Sequence, residues 1–224
     1  MLGTALFDDR TAAGKALARE LKDFAHRDDV LVLALPRGGV PVAFEIASFL
    51  HAPLDIVLVR KLGTPGHQEL AMGAIASGDT VVMNSDVVRR LGIAQSAIDR
   101  EIERERQEMR RRERVYIGDR APYSVAQQTV ILVDDGIATG ATMRAAITAI
   151  KQRKPAYLVV AAPTAATDTY RNIAQQVDQI VCLATPEPYF AVGSWYHNFE
   201  QTPDSEVCKL LRQAADATNH SAES

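Results

Sequence analysis

The sequence predicts an α/β fold in which a parallel central sheet is flanked by helices. Three apolar runs predict it: Val30–Leu35 (VLVLAL), Val130–Val133 (VILV) and Tyr157–Ala162 (YLVVAA). Each has the near-continuous, β-branched hydrophobicity of a strand buried on both faces. A short turn and then a helical pattern follow each run. That strand–helix rhythm, with short connections, calls for strands that run the same way.

In chain order, residues Thr11 to His26 read as a helix, with Ala12, Ala16, Leu17, Leu21, Phe24 and Ala25 at helical spacing. Val30–Leu35 ends at Pro36-Arg37-Gly38-Gly39, and Val40 to Leu50 is the returning helix. Asp55 to Val59 (DIVLV) is the next strand, carrying Arg60 and Lys61 at its C-terminal end. Leu62 to Gly78 is glycine-rich and reads as a loop. Thr80 to Met83 is a strand, and Asn84 or Ser85 caps a short helix through Leu91. Ala94 to Val115 is the longest helical pattern. It has a thin apolar stripe (Ile98, Ile102, Met109) and many Glu/Arg pairs three or four apart. Its basic cluster Arg110, Arg111, Arg112 and Arg114 is interspersed with acids, so it reads as a solvated helix over the sheet or against a partner subunit. Thr167 to Gln176 is a further helix and Gln179 to Ala184 the last strand. Residues after about Ala214 are polar and expected to fray.

The stretch from Thr129 to Met143, TVILVDDGIATGATM, carries the chemistry. Two adjacent carboxylates, Asp134 and Asp135, stand where the strand emerges. A turn of small residues follows and opens a helix from Met143 to Lys151. Backbone N–H groups and a helix N-terminus hold anions, and the Thr139 and Thr142 hydroxyls add donors. The two acids repel phosphate. They suit the neighbouring hydroxyls of a ribose, or a hydrated Mg²⁺. Pro36-Arg37-Gly38-Gly39 reads as a second anion turn, in which glycine permits close approach and Arg37 offers a planar fork. Arg60 and Lys61 add two cations at a strand end, where open α/β sheets bind ligands. Neither a P-loop ending nor a G-x-G-x-x-G fingerprint is present.

The rest of the composition excludes more than it assigns. A chain of 224 residues, 47% hydrophobic and 24% charged, suits one α/β domain with additions. A net charge of −3 argues against a basic nucleic-acid surface. Two cysteines are too few for a disulfide framework or a cysteine metal site, and Cys182 reads as a buried structural thiol. With no long apolar segment and no leader pattern, a cytoplasmic protein is expected.

The apolar run, acid pair and G-x-A-T-G-x-T turn resemble the signature of the type I phosphoribosyltransferases, and PRGG resembles their pyrophosphate loop. The wider layout, from about Leu31 to Val207, is similar to a stand-alone group with R-G-G, R-K-L-G, E-L-A-x-G-A and V-D-D-G-x-A-T-G-x-T blocks. The resemblance implies that fold over residues 1–224, with a small hood built from terminal and inserted segments. It implies a Mg²⁺-dependent transfer of 5-phosphoribosyl from phosphoribosyl pyrophosphate (PRPP) to a small nitrogenous acceptor. Asp134, Asp135, Lys61 and Arg37 are then the catalytic candidates. Ala138, Thr139, Gly140, Ala141 and Thr142 hold the 5′-phosphate, and Arg37, Gly38, Gly39, Arg60 and Lys61 the pyrophosphate. Asp134 and Asp135 reach the metal through water or the ribose hydroxyls. Residues 60–80 form a mobile lid, with Lys61, Thr64, His67, Gln68 and Glu69 as candidates.

Residues 94–116 form the charged helix of an insertion, and residues 186–214 part of the hood. Five of the chain's aromatics fall between Pro186 and Pro203, and Trp195 and Tyr196 are the candidates to stack on the acceptor. A homodimer is compatible with this layout. Ala138 stands where many purine-using members carry an Asp, so the acceptor is open. That gap leaves an alternative, a non-catalytic PRPP-binding regulator. A kinase or phosphatase lacks its required residues.

Overall fold

The structure is a computed structural model that describes residues 5–118 and 120–222, without the side chains of Gln68, Glu69 and 219–222. The expected lid residues Gln68 and Glu69 therefore lie outside the described side chains.

Five strands form the parallel sheet: β1 (Val30–Ala34), β2 (Leu54–Ile56), β6 (Thr129–Val133), β7 (Tyr157–Thr164) and β8 (Gln179–Ala184), in the order β2-β1-β6-β7-β8. Their alternating side chains build two cores. Val30, Val32, Ala34, Ile131 and Val133 face α1 (Arg10–Glu20), α2 (Gly39–Leu50) and α7 (Asp204–Ala222). Leu31, Leu33, Val130 and Leu132 face α5 (Ala141–Gln152) and α6 (Thr167–Ala174). Burial on both faces is why these runs lack the alternation of a half-wet strand. The chain winds from β1 outward to β2 on one side and from β6 to β8 on the other. The order reverses between β1 and β6, and at their carboxyl ends such sheets open a crevice for ligands.

The first expected helix stops at Glu20, and a 3₁₀ turn, Lys22–Phe24, follows. Asp9 caps α1, accepting from the Ala12 N–H at 2.8 Å. The expected strand Asp55–Val59 is divided. β2 ends at Ile56, and the chain re-enters a second sheet at β3 (Val59–Thr64).

That second sheet corrects the loop expected over Leu62–Gly78. β3, β4 (His67–Ala76) and β5 (Thr80–Met83) form an antiparallel sheet of three strands. Its glycines masked the strand pattern. Gly73 lies so close to β5 that a Cβ there would meet the Val82 carbonyl oxygen at 2.5 Å. Leu62, Met72 and Ile75 are fully buried in the main core, which anchors the sheet.

α3 (Ser85–Leu91) starts with Asn84 accepting from the Val87 N–H. α4 (Gln95–Ile117) is the long charged helix, and it buries Ile98, Glu105, Met109 and Tyr116 rather than running fully solvated. The polar C-terminus expected to fray continues as helix to Ala222. Cys182 is half-buried rather than buried, with its thiol pushed up to about 11 by burial. Among the described residues no helix is long and apolar enough to cross a membrane.

Candidate active site

Two turns meet over the carboxyl ends of β1 and β6. The ladder pairs Ala34 with Val133, and the Leu35 N–H donates to the Val133 carbonyl at 2.8 Å, so both turns leave the sheet at one level. The PRGG turn then lies directly on the acid pair. A Cβ on Gly38 would fall 1.9 Å from Asp135 Oδ2, and one on Gly39 would fall 2.8 Å from the Val133 carbonyl oxygen. At Gly39 the obstacle is backbone and only hydrogen fits, while at Gly38 a methyl would force the Asp135 carboxylate to move. Two stretches that the sequence separates by about a hundred residues thus form one continuous surface of backbone amides and carboxylates.

The two carboxylates differ. Asp134 folds back so that its Oδ1 accepts from the Asp135 N–H at 2.9 Å. Burial first, and the neighbouring charge of Asp135 second, hold its carboxyl well above the usual aspartate range. Asp135 instead accepts from Arg10 Nε at 2.7 Å, with both side chains nearly buried. The Arg10 Nη1 donates to the Glu200 carbonyl at 2.7 Å, and its guanidinium lies 3.9 Å over the Phe199 ring. The Tyr196 hydroxyl donates to the Asp135 carbonyl oxygen, and burial holds that phenol above its ordinary range.

Arg10 is the residue that sequence reasoning missed. It lies 125 positions from its partner in an unremarkable N-terminal helix. One signal existed. A cation in the first turn opposes the helix dipole, and Arg10 is the first residue of α1.

The Ala138–Thr142 turn opens α5. Gly140 takes φ +71°, a left-handed conformation that suits glycine, and the helix has no side-chain cap. The first-turn N–H groups of such a helix have no intrahelical partner and are available to an anion. Thr139, Ala141 and Thr142 are exposed. The turn is braced from behind, where the Thr169 hydroxyl donates to the Ala138 carbonyl at 2.7 Å and Arg144 donates to the Thr139 carbonyl at 2.9 Å.

Comparison with known proteins shows the family of the chain. A profile of the family described as phosphoribosyl transferase domain matches residues 5–196, which includes both turns and Arg10. The chain belongs to the phosphoribosyl transferase family. It is 44% identical over 209 residues to "Putative phosphoribosyl transferase Rv0571c" of Mycobacterium tuberculosis strain H37Rv, and equally to its counterpart in strain CDC 1551. Those alignments cover 93% of this chain and 47% of each relative, so the chain spans about half their length. The crystal structure of TT1426 from Thermus thermophilus superposes with a TM-score of 0.82 at 38% identity, covering 92% of this chain and 98% of that one.

Several of the remaining candidate residues are already engaged by the fold. Arg37 Nη1 lies 3.6 Å from the Asp204 carboxylate of α7. Arg60, expected as one of two open cations, bonds the buried carboxylate of Glu105 on α4. Lys61 is exposed on β3. Of the expected lid residues, Thr64 is buried and donates to the Leu70 carbonyl inside the β3–β4 hairpin, while His67 is exposed.

Trp195 and Tyr196 do not offer an open ring. They are 8% and 5% exposed, packed with Ala13 and against Phe7, Tyr189, Val192 and Phe199. Their work is to seat the 186–200 segment, whose Val192 closes so tightly on Gly136 that a Cβ there would meet it at 2.4 Å. Nearby, Tyr189 hydrogen-bonds Thr164 at 2.9 Å, and the next residue, Phe190, stands 82% exposed.

Proposed function

We propose that this chain transfers 5-phosphoribosyl from PRPP to a nitrogenous acceptor with release of pyrophosphate. The observation that carries the reading is the direct stacking of Gly38 and Gly39 on Asp134 and Asp135 at the point where the strand order reverses. A ligand there meets an amide-rich turn with Arg37 on one side, carboxylates in the middle and the α5 N-terminus on the other. A ribose bearing pyrophosphate at C1 and phosphate at C5 has complementary charge and hydroxyls in that order.

In the reaction the C1–O bond breaks and its electron pair leaves with pyrophosphate. A C1–N bond forms, and the acceptor's proton passes to solvent. The transition state carries positive charge on the ring and negative charge on the leaving group, so catalysis is mainly positioning and electrostatics. Asp135 and Asp134 hold the ribose hydroxyls and face the developing ring charge. Arg37, Lys61, Arg60 and the Gly38–Gly39 backbone receive the pyrophosphate. The Ala138–Thr142 turn fixes the 5′-phosphate.

Among the described residues no group of three or more His, Cys, Asp or Glu side chains could hold a metal. Asp134 and Asp135 alone would suit only a Mg²⁺ that keeps most of its waters. Such an ion would supply positive charge against the departing pyrophosphate.

The acceptor stack is reassigned to Phe190, since Trp195 and Tyr196 are buried. Phe190→Ala is expected to raise the acceptor KM about 10-fold or more, given roughly 1–3 kcal/mol per stacked base. It should leave PRPP affinity and Tm unchanged, whereas Trp195→Ala should lower Tm. Acceptor saturation kinetics and melting curves check both.

Pyrophosphate release from PRPP across a panel of bases and amines tests the reaction. Turnover with any acceptor supports transfer. PRPP binding without release from any of them would favour the regulator.

A further inference from the structure

The basic cluster of α4 is absorbed by none of the roles above, and its orientation is informative. Glu105, Met109 and Tyr116 are buried, and their spacing defines the inward stripe of the helix. Arg112 lies at the edge of that stripe, three residues after Met109 and four before Tyr116, and its side chain is exposed. Arg110 turns away toward Asp79, while Arg111 stays beside this face, lining the larger of the two cavities there, and is held by both oxygens of Glu108 at 2.8 and 2.9 Å.

Arg112 opens onto a small cavity of about 50 Å³ whose other lining residues include Pro36, Arg37, Arg60, Tyr116 and Thr142. An adjoining cavity of about 160 Å³ shares Arg37, Arg112 and Tyr116 with it. Three guanidiniums, from the PRGG turn, from β3 and from α4, therefore border one space beside the proposed pyrophosphate turn. In the described residues Arg112 uses only its Nε, which donates to Glu108 at 3.0 Å. Both terminal amino groups keep their donors for a ligand.

We propose that Arg112, supplied by the inserted helix, is a pyrophosphate-binding residue of this protein. The inference rests on the phosphoribosyl reading above and adds a cation that neither turn motif contains. Each arginine at this space is paired with a carboxylate: Asp204 for Arg37, Glu105 for Arg60 and Glu108 for Arg112. The Asp204 carboxylate is itself fixed, since it accepts from the Tyr116 hydroxyl at 2.6 Å. These acids keep a dense cationic site from repelling itself. Pyrophosphate, with more oxygens and more charge, engages the free edges of the same guanidiniums in bidentate fashion.

Titration calorimetry with pyrophosphate and PRPP, each with Mg²⁺, and with ribose 5-phosphate separates the possibilities. Wild type, Arg112→Gln, Arg112→Lys and a surface control, Arg90→Gln, are compared. Arg112→Gln is expected to weaken pyrophosphate and PRPP about 10-fold while leaving ribose 5-phosphate unchanged. Arg112→Lys should recover part of the loss, and Arg90→Gln should match wild type. A purely structural or long-range charge role would weaken all three ligands together, and that outcome overturns the inference. So does wild-type binding of PRPP with Arg112→Gln within twofold for both ligands. If wild type binds neither pyrophosphate nor PRPP, the phosphoribosyl reading itself fails, and this inference with it.

Discussion

Replacing Gly38 by alanine is expected to weaken PRPP binding by at least about 100-fold. The new methyl would sit 1.9 Å from Asp135 Oδ2, 2.6 Å from its Cγ and 3.2 Å from Arg10 Nε. Relief comes by moving the Asp135 carboxylate off Arg10, which is itself held by Phe199 and the Glu200 carbonyl, or by parting the two turns. Either way amides and carboxylate move out of register, and displacements of about 1 Å suffice for losses of that size. Backbone preference is not the cause, because Gly38 takes an ordinary helical φ of −61°. Without the Asp135 carboxylate only the 3.2 Å approach to Arg10 Nε would remain. The double variant Gly38→Ala/Asp135→Ala should accordingly recover thermal stability relative to what the two single effects predict, and melting curves of all three check this.

The two acids are expected to respond to mutation in opposite directions. Asp135→Ala leaves Arg10 nearly buried without its carboxylate, which costs about 3 kcal/mol. For a chain of this size that lowers Tm by roughly 6–12 °C. Asp134 has its carboxyl held up by burial and by Asp135. A carboxyl whose value is raised in the folded state gives its full stabilisation at acid pH and loses it as pH rises through that raised value. Asparagine mimics the neutral form and keeps the oxygen that accepts from the Asp135 N–H. Asp134→Asn should therefore melt above wild type at neutral pH, with the difference closing as pH falls. Both variants should bind PRPP more weakly, because hydrogen bonds from ribose hydroxyls to carboxylates are charge-assisted. A protein that becomes more stable while losing ligand affinity would mark Asp134 as kept for function. Melting curves over a pH series, with PRPP titrations at neutral pH, check the pair.

Much of this was legible in local sequence. VLVLAL, VILV and YLVVAA are the three inner strands because burial on both faces leaves nothing to alternate. The acid pair and the glycine–threonine turn were legible because their chemistry is contiguous. What escaped depends on distance along the chain. Arg10 meets Asp135 only after the sheet has formed and α1 has packed across it. Glu105 and Asp204 look like ordinary surface acids until α4 and α7 bring them to Arg60 and Arg37. The antiparallel sheet was hidden because glycines such as Gly73, needed for close strand approach, weaken the period that marks a strand. The aromatic run after β8 was visible, but composition does not tell an anchor from a platform. Burial shows Trp195 and Tyr196 to be anchors and leaves Phe190 exposed.

The central claim is that the two turns form a single PRPP site, and calorimetric titration of the wild-type protein with PRPP and Mg²⁺ tests it most directly. Saturable binding at one site per chain, with a Kd of about 1 mM or tighter, is predicted. The absence of saturable heat at several-fold higher PRPP would contradict it.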